Sequence, residues 1–138
     1  MIALCIHNQG AELGAPERRR SFTDETVFHV TLGSEYQVFA MSIWETSLHV
    51  LIRDDTGKPN WWPIGLFEFD GQMVPCDWEF ALLDGPAASG GDSLNKEVAR
   101  WGYREMIRNP KHHDELIERQ PEALRIFFEE FERRSSEV

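Results

Sequence analysis
The chain has 138 residues and carries 24 Asp and Glu against 14 Lys and Arg, a formal charge of −10. That length suits one domain, spanning 1–138, and can bury a core without disulfide or metal staples. With 41% hydrophobic and 28% charged residues, the composition excludes wholesale disorder and fibrous repeats, and so acidic a chain repels nucleic acid and attracts a basic partner.

Only Cys5 and Cys76 are present, without CxxC spacing, so neither a disulfide framework nor a cysteine zinc site is expected. No cofactor and no metal is expected. The apolar runs fall short of the roughly 20 residues that cross a bilayer, and "MIALCIH" lacks the basic start of a signal peptide, so the expectation is a cytoplasmic protein without a membrane partner.

In chain order, "IALCIH" (2–7) is compatible with a strand, and the glycines, proline and charges of 8–26 predict a surface loop. Its Arg18–Arg20 run is too short for a localisation or anion patch. Residues 27–83 form the β-rich core. "VFHVTL", "YQVFAMSIW" and "SLHVLIRD" are β-branched and aromatic and are separated by hairpin-length links; "DDTGKP" predicts a tight turn, with a further strand over Trp61–Asp70. Alternation in "LFEFD" and "DWEFALL" sends Phe67, Phe69, Trp78 and Phe80 inward.

After a loop at 84–93, the region 94–134 is expected to be helical. Asp92 or Ser93 would cap a helix to about Arg108, and Pro110 and Pro121 would each begin another. In the last, Leu124, Phe127, Phe128 and Phe131 recur at helical spacing, with Arg125–Glu129, Glu129–Arg133 and Glu130–Arg134 toward solvent.

Strands followed by helices predict an α+β fold: a small antiparallel barrel or strongly bent sheet with C-terminal helices. The segment 27–83, through its short successive strands, the "GSEYQV" approach, the "DDTG" turn and a tryptophan pair followed by Pro63, resembles an SH3-like barrel. That resemblance implies a proline-binding aromatic platform.

Three features are candidates for contact. Adjacent strand residues point to opposite faces, so one of Trp61 and Trp62 is expected outside the barrel core, either exposed as a platform or covered by the C-terminal helices. Glu68 with Asp70, and Asp77 with Glu79, would form one acidic group if their strands were neighbours, either steering a cationic partner or balanced by the chain's own arginines. Lys96, Arg100, Arg104 and Arg108 recur every fourth residue, a secondary basic stripe on the expected helix that would be solvated or would balance the acidic sheet.

Catalytic signals are weak. Cys5 and His7 share a strand face without a third orienting group, and His112 and His113 diverge by about 100° on a helix, so they are expected at the surface and not as a metal pair. In size, acidity and lack of a catalytic signature the chain is similar to bacterial immunity proteins, which implies a non-enzymatic domain that inhibits a basic toxin enzyme. The alternatives are an SH3-like peptide-binding module and a small hydrolase using the clustered carboxylates.

Overall fold
The computed structural model describes residues 1–13, 23–44, 47–83 and 97–135. Among the described residues seven strands form one antiparallel sheet: β1 (Ile2–Cys5), β2 (Glu35–Trp44), β3 (Ser47–Arg53), β4 (Pro59–Pro63), β5 (Phe67–Glu68), β6 (Glu79–Leu82) and β7 (Glu97–Gly102). Three helices follow: α1 (Arg104–Arg108), α2 (Pro110–Ile117) and α3 (Pro121–Ser135). The fold is α+β.

The ten-residue β2 is the spine. One of its flanks pairs with β3, which pairs with β4. Its other flank is shared, the first part taking β1 (Ile2↔Gln37, Leu4↔Glu35) and the last part taking β7 (Ala40↔Gly102 to Trp44↔Glu97). β1 continues to β5 and β7 to β6. Among the described residues β4, β5 and β6 each pair on one side only, so the sheet is open and not closed into a barrel.

Between Val38 and Ala40 the β2–β3 register shifts by one residue. Such a bulge lets consecutive side chains take one face, and here Phe39 and Ala40 both join the core under the helices while Val38 joins the other. The first core gathers Ala3, Cys5, Phe28, Val30, Val38, Val50, Ile52, Leu66 and Phe67. The second packs Phe39, Leu51, Tyr103, Met106, Leu116 and Phe127 between sheet and helices. Alternate residues of β3 supply the two sides, Val50 and Ile52 to one and Leu51 to the other.

Three elements expected from the sequence take a different form in this fold. Residues 27–32 form no strand. Phe28 and Val30 are buried in alternation, as the pattern predicts, but their N–H groups bond the Asn8 and Phe28 carbonyls, and Val27 makes a single bridge to Gln9. The strand expected over Trp61–Asp70 is cut in two at Pro63, which has no N–H to continue a ladder and leads into a 3-10 turn at Ile64–Leu66.

Of the helix expected from residue 92 or 93 to Arg108, the start with its cap lies outside the described residues, Glu97–Gly102 is a strand, and only Arg104–Arg108 is helical. Gly102 explains the strand's position: a Cβ there would lie 2.8 Å from the Ala40 Cβ, so only glycine lets β7 lie this close to β2. The two proline-started helices form as the spacing predicts. Asn109 caps α2, accepting from the Lys111 N–H at 3.1 Å.

Phe67 and Trp78 are buried as expected, but Phe80 is 49% exposed and stacks on Trp101 at 4.7 Å, β6 pairing among the described residues with β7 alone.

Candidate functional site
The tryptophan pair divides as strand geometry requires. Trp62 leans on the first core, its ring edge-on to Phe28 at 5.2 Å and its Nε1–H donating to Asp54 at 2.9 Å. Trp61 lies under the helices, donating its Nε1–H to His113 Nε2 at 3.0 Å.

The four carboxylates are not brought together. β5 pairs with β1 and β6 with β7, so the two acidic strand segments are not neighbours. Asp77 receives Arg133 and Arg134 from the end of α3, which hold its carboxyl below the usual carboxylate range against the opposing effect of burial. Glu79 receives Arg108 at 2.7 Å and Arg104 at 3.6 Å. The Glu130–Arg134 pair, expected in solvent, is instead nearly buried beside Asp77.

The basic stripe dissolves with the long helix that would have carried it. Arg100 stands on β7 in a two-bonded pair with Glu97, while Arg104 and Arg108 share one turn of α1 and both serve Glu79. Lys96 lies outside the described residues.

Glu68 and Asp70 have a different setting. On the outer face of β1, Ile2, Leu4 and Ile6 are 36%, 37% and 39% exposed, alternating with the buried Ala3 and Cys5. Leu4 stands in register between Glu68 of β5 and Glu35 of β2. Ile2, Leu4, Glu35, Glu68, Asp70 and Gln72 line an open depression of about 560 Å³. β5 is only two residues long, and past its end the Gln72 amide takes over, accepting from the Ile2 N–H and donating to the Ile2 carbonyl, both at 2.7 Å. The strand edge is thereby closed, which blunts backbone pairing with another chain and leaves side chains as the means of contact.

The chain matches no protein-family model, no curated protein and no solved structure. The site therefore rests on its own geometry. Among the described residues no helix is long and apolar enough to cross a membrane, and no three histidine, cysteine or acidic side chains are grouped as metal ligands. Cys5 and His7 form no dyad: the Cys5 thiol, its pKa raised by burial, bonds the His7 carbonyl at 3.3 Å, and the His7 ring contacts Glu12.

A second concavity of about 500 Å³ opens between α2 and the sheet, lined by Trp44, His49, Asn60, Trp61, His113, Asp114, Ile117 and Glu118. Sequence periodicity did not signal it. His112 and His113, expected at the surface, are 1% and 7% exposed. The short α2 is wedged so closely onto the sheet that both adjacent rings find partners: Tyr103 Oη meets His112 Nε2 at 2.6 Å, and Trp61 meets His113. An indole N–H can only donate, so His113 Nε2 accepts and the ring is neutral with its proton on Nδ1.

Burial first, with Arg100 adding to it, pushes both histidines below their ordinary value of about 6.5. The unfolded chain thus binds more protons than the folded one as pH falls below about 6.5, and stability present above that value is lost on the way down through the folded values. Urea midpoints are expected to be flat from neutral to mildly alkaline pH and to drop below about 6.5, by up to about 1.4 kcal/mol per pH unit for each histidine. A flat profile down to the carboxylate range would show that these rings are not neutral latches.

Proposed function
We propose that the chain is a protein-binding domain that captures a basic partner on the outer face of β1, and that this partner is a cationic enzyme held inactive, as an immunity protein holds a toxin. One observation carries the reading: an exposed aliphatic stripe, Ile2, Leu4 and Ile6, is flanked in register by Glu35 and Glu68 and continued by Asp70. Apolar side chains supply the area that slows dissociation, and the carboxylates at their rim speed encounter with a cationic surface. The net charge of −10 extends that attraction beyond the contact.

The other two readings have less support. An SH3-like peptide groove needs an aromatic platform, and both indoles of the 61–62 pair donate inward from an open sheet. A carboxylate-pair hydrolase needs two facing acids, and the four candidates are divided between the β1 face and the arginines of α1 and α3.

The test is capture from a lysate of the source cells at low and high salt, beside a Glu68→Lys/Asp70→Lys double variant, followed by assay of the captured enzyme with added protein. The expected result is a cationic enzyme retained at low salt, lost at high salt and with the double variant, and inhibited on addition. Its association rate should fall about tenfold or more on charge reversal, with thermal stability unchanged because both residues are exposed. Capture that survives both salt and charge reversal would overturn the proposal.

A further inference from the structure
The concavity beside α2 has a chemistry of its own and shares no residue with the β1 face. Two indoles, Trp44 and Trp61, and two imidazoles, His49 and His113, line it, and the carboxylate-bearing Asp114 and Glu118 belong to the same lining. We propose that it is a binding site for a small organic cation, an alkylammonium group held against the aromatic rings with the two carboxylates as counter-charges.

Several observations converge on that class of ligand. Aromatic faces attract a cation most strongly when it is weakly hydrated, as a carbon-clad ammonium is. The His113 ring cannot repel such a group, since its Nε2 accepts from Trp61 and it carries no charge. Among the described lining residues none is Lys or Arg. The neighbouring Arg119 holds the Pro59 carbonyl and the Asn60 side chain with its guanidinium and is not part of the lining. The largely covered Arg100 is matched by Glu97. The carboxylates of the described lining are Asp114 and Glu118, both exposed, with Asp114 Oδ1 3.4 Å from His113 Nδ1. The volume, about 500 Å³, falls within the range of small-molecule sites.

The cation could come as a free amine or as the side chain of a modified lysine, and the experiment separates the two. The intact protein, labelled with nitrogen-15, is titrated with choline, with N-trimethyllysine amide and with 3,3-dimethylbutan-1-ol, the neutral isostere of choline. The readout is the Trp61 indole N–H resonance, assigned with Trp61→Phe. A saturable shift at millimolar concentration or below is expected for at least one cation, choline marking a free-amine site and the lysine derivative a side-chain site. The neutral alcohol should require about tenfold more ligand. Glu118→Gln should weaken the cation several-fold without changing the thermal midpoint, and Asp114→Asn should weaken it further. The proposal is overturned if neither cation shifts the resonance, or if the alcohol shifts it as readily as choline does.

Discussion

Phe39→Ala is expected to cost about 3–5 kcal/mol, the range for removing a fully buried phenylalanine. Phe39 is wholly buried and stacks on Phe127 at 4.8 Å and Phe131 at 5.7 Å, so it is the sheet's main hold on α3. The bulge in β2 sets it beside Ala40 on the helix side, where Leu51 and Met106 complete the packing. Alanine at this position would leave a cavity that neighbouring side chains cannot fill without moving the helix. Urea unfolding followed by circular dichroism should show the loss, while Phe131→Ala, at a half-buried ring, should lose less. A cost below about 1 kcal/mol for Phe39→Ala would mean that α3 does not rest on this contact.

The second large effect is expected at Asp54. Its side chain, 4% exposed, accepts from the Thr56 N–H and hydroxyl, from Asn60 Nδ2 at 2.8 Å and from Trp62 Nε1 at 2.9 Å. Asn60 in turn accepts from Arg119, whose left-handed backbone (φ 62°) ends α2, so one carboxylate ties the β3–β4 turn to the helical half. Asp54→Ala removes the shared acceptor of the half-buried Asn60 and Trp62 donors and of Thr56, and should cost about 2–3 kcal/mol. Asp54→Asn should not rescue it, because an amide nitrogen would face donors. Thermal midpoints should fall by about 10 °C for either variant, and full recovery with asparagine would contradict the assignment.

The fold class was legible because period-2 alternation in "YQVFAMSIW" and "SLHVLIRD" and helical spacing in "LRIFFEEF" are local signals, each matched by β2, β3 and α3. Local pattern misleads where tertiary pairing decides. "EVARWG" satisfies a helical stripe as well as a strand, and it is the Gly102–Ala40 approach, invisible in sequence, that selects the strand. Grouping the four carboxylates required two strand segments to be neighbours, which alternation cannot establish, and long-range pairing sent them to different partners. Glu68 and Asp70 do reach an exposed face, but with Glu35 and the aliphatic residues of β1 as companions. A signal for that face was present: "IALCIH" is apolar at both parities, whereas a half-buried strand is polar on one. For His113 no local signal existed, since its burial depends on Trp61, 52 positions away.

Photo-crosslinking addresses the β1 face most directly. With p-benzoylphenylalanine replacing Leu4 in one sample and Arg125, on the exposed side of α3, in another, irradiation in the presence of the captured basic enzyme should yield a one-to-one adduct from the first sample alone. Adducts from the α3 position, with none from β1, would show that the partner docks elsewhere and that the acidic aliphatic stripe is an ordinary solvated face.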